Sequence, residues 1–463
     1  MEAGKSLDGV KIGIIGAGLS GLSLADLAVR KKAVVFVSDL GSRKDAAADE
    51  MASKGIDFEF EGHSPRLWES DMIVLSSGIS PSAPAVKKAQ EMGIPVLGEL
   101  DFVAPYLNGR LIGVTGSNGK STTTALAGHL IQGLGRRGAA IGNIGKPVAD
   151  YADSDLEFLA IELSSFQLYW AKKLPVEVSI VTNLDPDHLD WHGSYGNYVA
   201  AKANLLKMQN PGSWAIGQKR DLGFFKDIPS VCLVGLGWGT DGPEKDNRIE
   251  MGEREALLWL EDECRVLFHY DRLPLLGRHN LENAAMAMAA VELLGLGAEK
   301  AETLLESFPA LPHRCEAVTS ICGVDYVDDS KGTNVAASVT ALGSLPGVKV
   351  VILGGQGKGE EYGSLAEAVK KHARVAIVMG AERERIVEAL QQGGVERILP
   401  ARDMEEAVLQ AFQEARPGET VLLSPACTSW DAYPNYKERG RHFQRLVRSI
   451  REGNEVGNTQ AWD

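Results

Sequence analysis

A glycine-rich turn that carries a lysine and four hydroxyl residues is the stretch of this sequence best suited to chemistry. Residues 115–122 read Thr-Gly-Ser-Asn-Gly-Lys-Ser-Thr and follow the apolar run 111–114, and apolar residues at helical spacing come after them. The backbone N–H groups of such a turn, at the N-terminus of a helix, bind anions. Lys120 can reach the terminal phosphates of a nucleotide, and the Ser121 hydroxyl can ligate Mg²⁺. We therefore predict an ATP site.

The match to the phosphate-loop pattern is incomplete, because Val114 stands where the pattern has its first glycine. An ordinary glycine-rich turn between a strand and a helix is the alternative. The order of strand, turn and helix favours the nucleotide site. Its predicted residues are Gly116, Ser117, Asn118, Gly119, Lys120, Ser121 and Thr122.

Two ionisable residues downstream, Glu162 and His188, suit a metal site, His188 also suits a phosphate, and a lysine follows them. Glu162 follows the apolar run 158–161, and His188 follows a third strand and lies in an acidic loop. In an open parallel sheet these strand ends form the ligand crevice, where a carboxylate opposite Ser121 suits Mg²⁺. Lys202 lies in a predicted helix among small apolar residues. Solvated strand-end residues and a lysine that extends towards solvent are the alternatives.

A second glycine-rich turn lies near the start of the chain. Residues 16–21 read Gly-Ala-Gly-Leu-Ser-Gly between a predicted strand and a predicted helix, and Asp39 ends the next strand. This pattern is typical of a dinucleotide-binding domain and indicates a tight turn directed at a diphosphate. We place the end of this domain at residue 98.

The C-terminal third repeats the alternation of strands and helices, with cationic residues where strands end. Lys331 and Lys358 occupy such positions, and Arg314 stands where the third domain opens; all three suit anionic groups, although charges at strand ends are often only solvated. Asn280 and Asn283 stand three apart at the start of an alanine-rich helix, where they suit a base, a ribose or a helix cap.

Length and composition set limits on the class of protein. The chain has 463 residues, which suggests about three domains, and its 48 Lys and Arg against 62 Asp and Glu give a net charge of −14. Such a surface repels nucleic acid. Five scattered cysteines argue against a disulfide framework or zinc site. We found no membrane-length apolar run and no signal pattern, so we expect a cytoplasmic protein.

The predicted fold class is α/β with three domains. We expect a Rossmann-like domain over 1–98, a central ATPase-type domain with a parallel sheet over 99–310, and a second Rossmann-like domain over 311–463.

Together the motifs resemble the Mur ligase family, whose members form amide bonds with ATP in bacterial cell-wall synthesis. The resemblance covers nearly the whole chain. It rests on residues 115–122, 142–145 (Gly-Asn-Ile-Gly), 161–167, 183–190 (Asn-Leu-Asp-Pro-Asp-His-Leu-Asp), 279–283, 311–314, 328–334 (Asp-Asp-Ser-Lys-Gly-Thr-Asn) and 422–427. The first-domain turn and the tail motif, Ser-Pro-Ala-Cys-x-Ser-x-Asp at residues 424–431, make it most similar to the D-glutamate-adding members.

This resemblance implies that the first domain holds the UDP part of UDP-N-acetylmuramoyl-L-alanine, that ATP activates its carboxylate as an acyl phosphate, and that D-glutamate is the acceptor in the C-terminal domain. It implies no nucleic acid partner and no membrane insertion, and we expect a monomer. The substrate positions are Leu19, Ser20, Gly78, Ile79 and Asn143; those for ATP add Asn283 and Arg314; those for D-glutamate are Lys331, Thr333, Lys358, Ser429 and Tyr436.

The family resemblance also implies two Mg²⁺ ions and catalytic roles for Lys120, Glu162, His188 and Lys202. The metal positions are Ser121, Glu162, His188 and Lys202. Because an ammonium would be repelled by the metals, we expect Lys202 to carry a carbamate derived from CO₂, which is a hard oxygen ligand.

Three alternatives remain at this stage. A folylpolyglutamate synthase would use a similar ATP loop, but the first-domain turn and the tail motif disfavour it. An NAD-dependent oxidoreductase belongs to a different class and would show a nicotinamide absorbance change. A noncatalytic nucleotide sensor would bind ATP without turnover.

Overall fold

The computed structural model describes residues 6–43, 45–228, 231–239, 246–275, 277–309 and 311–459. It confirms the predicted α/β class with three domains, each built on its own sheet, of five, nine and six strands. The chain divides into two compact units: Met1–Leu273 with Glu282–Phe308, which contains the first two sheets, and Pro274–Leu281 with Pro309–Asp463, which contains the third.

The first sheet is parallel throughout, in the order β3-β2-β1-β4-β5. Its strands are β1 (Lys11–Ile15), β2 (Val34–Ser38), β3 (Asp57–Glu59), β4 (Met72–Leu75) and β5 (Val96–Gly98), and its helices are α1 (Leu19–Arg30), α2 (Asp45–Ser53), α3 (Pro84–Glu91) and α4 (Glu99–Val103). The strand order reverses between β1 and β4. Ligands of open α/β sheets bind at such a switch point.

The central sheet has the order β14-β13-β12-β11-β10-β9-β6-β8-β7. Its strands are β6 (Arg110–Thr115), β7 (Gly138–Gly142), β8 (Phe158–Glu162), β9 (Val176–Val181), β10 (Trp214–Gln218), β11 (Cys232–Trp238), β12 (Arg248–Met251), β13 (Glu255–Leu260) and β14 (Glu263–His269). Its helices are α5 (Lys120–Gly133), α6 (Ser165–Trp170), α7 (Leu189–His192), α8 (Tyr195–Lys207) and α10 (Ala298–Ala301), and α9 (Arg278–Leu293) has residues in both units. The strands from β7 to β12 are parallel, whereas β12, β13 and β14 pair antiparallel. That antiparallel edge is an addition to the predicted parallel sheet.

The third sheet has the order β15-β16-β20-β17-β18-β19, and β15 is its one antiparallel strand among the described residues. Its strands are β15 (Glu316–Ile321), β16 (Val324–Asp328), β17 (Lys349–Gly354), β18 (Ala373–Met379), β19 (Ile398–Pro400) and β20 (Thr420–Leu423). Its helices are α11 (Val335–Ser344), α12 (Gly363–His372), α13 (Arg383–Gln392), α14 (Met404–Glu414) and α15 (Tyr436–Thr459).

Strands β6 and β8 of the central sheet are buried, and Glu162 stands at the end of β8. Leu159 and Ile161 of β8 are fully buried, as are Ile112 and Val114 of β6. Parallel strands are covered on both faces and therefore consist of continuous apolar residues. Burial of each such side chain stabilises the fold by about 1.5–3 kcal/mol. Glu162 stands where β8 ends, and that edge of the sheet holds the candidate site.

A search of the described helices for a membrane span found none with sufficient length and apolar character.

Candidate functional site

The turn between β6 and α5 has the backbone of a phosphate loop. Gly116 and Gly119 have φ values of +141° and +84°, which L side chains rarely adopt. A Cβ atom on Gly116 would lie 2.0 Å from Thr182 Oγ1, and one on Gly119 would lie 2.4 Å from Asn283 Oδ1. Both positions therefore need glycine.

Two residues that the sequence analysis did not single out hold this loop in place. The Asn183 carbonyl accepts from Ser117 N–H at 2.9 Å, and its side-chain oxygen accepts from Asn118 N–H at 2.9 Å. The Tyr198 hydroxyl lies 2.8 Å from the Ser117 hydroxyl. Asn183 lies two residues after the end of β9. Its position at a strand end could have identified it from the sequence.

Two lysines converge on the loop. Lys120 Nζ donates to the carbonyls of Gly116 and Ser117 at 2.7 and 2.8 Å, and Lys202 Nζ donates to the Gly116 carbonyl at 2.8 Å. Lys202 is only 1% exposed. Burial and, next, the charge of Lys120 lower the pKa of Lys202 well below its ordinary value. The structure thus places a buried lysine with a lowered pKa beside the phosphate loop.

Glu162 occupies the end of β8, as the sequence predicts, and is 1% exposed. Its Oε1 accepts from Asn143 Nδ2 at 3.0 Å, whereas its buried Oε2 has no hydrogen-bond partner among the described residues. A buried carboxylate oxygen without a partner is costly unless a cation or a proton meets it. The residues present therefore fit a divalent cation at this carboxylate.

His188 lies at the start of α7 with a left-handed backbone, at φ +52°. Its Nε2 is 3.5 Å from Asp187 Oδ2, and its ring packs edge-on against Phe166 with 4.7 Å between ring centres. The charges of Asp187 and Glu162 both act to raise the pKa of Lys202, against the larger effect of burial. The four residues thus belong to one neighbourhood of the first unit.

The predicted UDP-binding positions flank the switch point of the first sheet. Leu19 begins α1 and is 78% exposed, and Ser20 follows it. Two indole N–H groups fasten the opposite loop: Trp191 donates to the Gly78 carbonyl at 3.1 Å, and Trp170 donates to the Ile79 carbonyl at 3.0 Å. Neither tryptophan was identified from the sequence.

Asn283, expected to meet adenine, lies at the phosphate loop itself. Its Oδ1 accepts from the Thr123 hydroxyl at 3.3 Å and limits the space beside Gly119. Asn143, expected to contact the sugar, bonds to Glu162 as described above. In the structure, Asn283 thus contacts the start of α5 and Asn143 contacts the end of β8.

The second unit holds the remaining predicted residues, mostly on loops between its elements, with Tyr436 at the start of α15. His313 Nδ1 lies 2.7 Å from Asp328 Oδ2, and the His313 carbonyl accepts from Lys331 N–H at 3.1 Å. These bonds position the residues on either side, Arg314 and Lys331. The Lys331 ammonium lies 4.1 Å from the centre of the Tyr436 ring. Lys331 and Tyr436, both predicted for D-glutamate, are therefore neighbours.

Arg439 is a buried arginine that sequence reasoning missed. It is 1% exposed and donates to the carbonyls of Ser330, Cys427 and Thr428 at 2.8, 3.0 and 3.1 Å. Burial lowers its pKa to about 10. Arg439 thereby ties the loop that precedes Lys331 to the segment that precedes Ser429.

We expect Arg439→Lys to destabilise the second unit by about 1–3 kcal/mol, because lysine keeps the charge but cannot reproduce the planar donor fork. Urea unfolding monitored by circular dichroism measures this change, with the exposed Arg441→Lys as control. Equal unfolding midpoints for the two variants would show that Arg439 does not hold these loops together.

Three family models match the chain in order. They describe a Mur ligase MurD-like N-terminal domain over residues 10–98, a Mur ligase middle domain over 114–291, and a Mur ligase glutamate ligase domain over 313–427.

Curated relatives match over nearly the whole chain. A UDP-N-acetylmuramoylalanine--D-glutamate ligase of Pelotomaculum thermopropionicum is 37% identical over 459 residues, covering 96% of this chain and 98% of the relative. A ligase of the same name from Symbiobacterium thermophilum is 35% identical, covering 94% of this chain and 97% of the relative.

Solved structures agree on the fold. A pseudomurein peptide ligase type C from Methanothermus fervidus has a TM-score of 0.60 at 18% identity, covering 95% of this chain and all of that one. The UDP-N-acetylmuramate-alanine ligase MurC from Thermotoga maritima has a TM-score of 0.59 at 18% identity, covering 95% of this chain and 99% of that one. From the family models and the full-length relatives, the chain belongs to the Mur ligase family and to its MurD-like branch.

Proposed function

We propose that this chain is an ATP-dependent ligase that adds D-glutamate to UDP-N-acetylmuramoyl-L-alanine in the synthesis of peptidoglycan precursors. One observation carries the chemistry: the unpartnered buried oxygen of Glu162 lies beside a phosphate loop on which two lysines converge. The relatives that share the whole length of the chain are named for this reaction.

The reaction needs an activated carboxylate, since a carboxylate does not condense with an amine in water. The γ-phosphoryl group passes from ATP to the alanyl carboxylate, which gives ADP and an acyl phosphate. The D-glutamate amine then attacks the carbonyl carbon, and phosphate leaves from the tetrahedral intermediate as the amine loses a proton. Lys120 and the loop N–H groups stabilise the charge that develops on the transferring group.

Ser121, Glu162, His188 and Lys202 would hold Mg²⁺, which we propose binds as two ions with Lys202 carbamylated. Bound there, Mg²⁺ supplies positive charge that offsets the repulsion between the γ-phosphate and the carboxylate. The buried carboxylate of Glu162 supports this assignment. Lys120, Glu162, His188 and Lys202 are the proposed catalytic residues.

The substrate positions follow from the two glycine-rich turns. We assign the UDP-linked substrate to the turn at the N-terminus of α1 and to the loop after β4, because that switch point suits a diphosphate. ATP belongs to the loop at residues 116–122. The assigned residues are Leu19, Ser20, Gly78, Ile79 and Asn143 for the UDP-substrate, and Asn283 and Arg314, with that loop, for ATP.

The second unit would bind D-glutamate, whose two carboxylates need cations. The proposed residues are Lys331, Thr333, Lys358, Ser429 and Tyr436. We further propose the domain limits 1–98, 99–310 and 311–463. We also propose that the protein acts in the cytoplasm as a monomer, and sedimentation velocity tests that oligomeric state.

We expect Lys358→Ala to raise KM for D-glutamate about ten-fold or more while KM for ATP changes less than two-fold. Lys358 follows β17 in the second unit and offers an ammonium suited to a carboxylate. Initial rates at varied D-glutamate and varied ATP measure both constants, with the exposed Lys371→Ala as control. A larger change in KM for ATP would assign Lys358 to the nucleotide.

Phosphate release tests the proposed function directly. The purified chain should release phosphate only when ATP, UDP-N-acetylmuramoyl-L-alanine and D-glutamate are all present, and other amino acids should give little release. Release with a folate and L-glutamate would favour a folylpolyglutamate synthase. A nicotinamide absorbance change would favour an oxidoreductase, and ATP binding without release would indicate a sensor.

A further inference from the structure

A buried glutamate that the proposed mechanism does not use lies between the first and central sheets. Glu99 directly follows β5, begins α4 and is 3% exposed. Its Oε2 accepts from the Ser77 hydroxyl at 2.6 Å and from Gln167 Nε2 at 3.2 Å. Its Oε1 is buried and has no hydrogen-bond partner among the described residues.

The two partners of Glu99 belong to different parts of the site. Ser77 lies in the loop after β4, whose neighbouring residue Gly78 we assign to the UDP-linked substrate. The Ser77 hydroxyl also lies 3.5 Å from that of Ser20, at the start of α1. Gln167 lies on α6, which closely follows the strand that ends in Glu162. Glu99 thus connects the substrate loop with the segment that follows the metal carboxylate.

The surroundings of Glu99 favour its uncharged form. Burial is the largest influence on this carboxyl and raises its pKa, although the hydroxyls of Ser77 and Ser20 and the Gln167 amide oppose the shift. Among the described residues, the groups that contact this carboxyl are hydroxyls and an amide. An ionised carboxylate with an unpartnered oxygen is costly in such a place, and its charge would oppose a diphosphate at α1.

We propose that Glu99 is a positioning residue that fixes Ser77 and with it the loop at residues 76–79 for the UDP-linked substrate. Trp170 and Trp191 fasten the same loop through the carbonyls of Ile79 and Gly78. The two tryptophans bind backbone carbonyls of the loop, whereas Glu99 binds the side-chain hydroxyl of Ser77. This inference rests on the proposed function.

The experiment compares Glu99→Gln with Glu99→Ala in phosphate-release assays that vary UDP-N-acetylmuramoyl-L-alanine, ATP and D-glutamate in turn. Glutamine is uncharged and keeps an oxygen that accepts from Ser77 and Gln167, so its three KM values should stay within about three-fold of wild type. Alanine should raise KM for the UDP-substrate about ten-fold and leave the other two within about two-fold. Asp101→Asn, also on α4, is the matched control, since Asp101 caps the backbone of residues 172–173.

A second variant tests the proposal at an exposed residue, so that the result does not depend only on substitutions of the buried Glu99. Ser77 is exposed, so Ser77→Ala should fold normally, and adding Glu99→Ala to it should raise KM for the UDP-substrate by less than two-fold more. Independent effects of the two substitutions would contradict the proposal. So would a glutamine variant as impaired as the alanine variant, or an equal rise in all three KM values. Wild-type protein without D-glutamate-dependent phosphate release would instead refute the proposed function itself.

Discussion

Replacing Lys120 by alanine is expected to lower kcat by about 10²–10³-fold. Lys120 begins α5 at the phosphate loop. Its ammonium would lie near the negative charge that moves as the γ-phosphoryl group is transferred. An electrostatic donor that acts on developing charge is worth about this factor, because it binds the transition state more strongly than the ground state. KM for ATP should change far less than kcat.

The measurement is the rate of phosphate release at saturating substrates. In the structure Lys120 bonds to the carbonyls of Gly116 and Ser117, so thermal unfolding must show that the variant remains folded. Lys207→Ala removes an exposed lysine from α8 and should leave both properties unchanged. A Lys120→Ala protein with wild-type kcat would remove the phosphate loop from the mechanism.

The sequence predicted those parts of the fold in which the type of each residue follows directly from its local environment. Buried parallel strands consist of continuous apolar residues, and their ends are marked by the first polar side chain. Glu162 ends β8 for this reason. Gly116 and Gly119 were likewise readable, because tight loop geometry demands glycine at both positions.

The residues that sequence reasoning missed act through partners far along the chain. Ser77 is 22 residues from Glu99, and Ser330 is 109 residues from Arg439. Trp191 bonds to Gly78 across 113 residues. No local periodicity encodes such pairs, since each depends on how separate elements pack. A glutamate at the start of a short helix is usually solvated, so the burial of Glu99 followed only from the assembled sheets.

Charged residues inside the site show a further limit of sequence reasoning. Lys202 lies on an alanine-rich helix, where a lysine whose ammonium reaches solvent is the ordinary interpretation. The structure buries this side chain and directs its Nζ to Gly116. The sequence specified the residue type and the helix, but the desolvation that changes its chemistry arises from β6 and the phosphate loop.

The protonation state of Lys202 decides whether it can react with CO₂. The face of the Tyr198 ring lies 4.5 Å from Nζ and favours the ammonium form, by about 2 kcal/mol when such a contact is desolvated. Complete burial and the nearby charge of Lys120 act in the opposite direction and prevail, because the pKa is lowered well below its ordinary value. The neutral amine needed for carbamate formation is therefore accessible.

We predict that Lys202 carries a carbamate when Mg²⁺ is bound. The neutral amine nitrogen forms a bond to the carbon of CO₂ and releases one proton, which replaces the neutral amine by an anion with two hard oxygen donors. High-resolution density of crystals grown with Mg²⁺ and ATP should show three additional atoms on Nζ. Protein equilibrated with ¹³C-labelled CO₂ should give a carbamate carbon signal that the Lys202→Ala variant lacks.

Activity provides the second readout for Lys202. Without the carbamate oxygens the positioning of the metal is lost, so Lys202→Ala should lose activity about 10²-fold, comparable to the loss of a group that orients metal ligands. Lys207→Ala, also on α8, should give the labelled signal and full activity. An unmodified lysine in the density of active, Mg²⁺-loaded protein would end the carbamate hypothesis. A fully active Lys202→Ala variant would do the same, because the metal would then need no ligand from this helix.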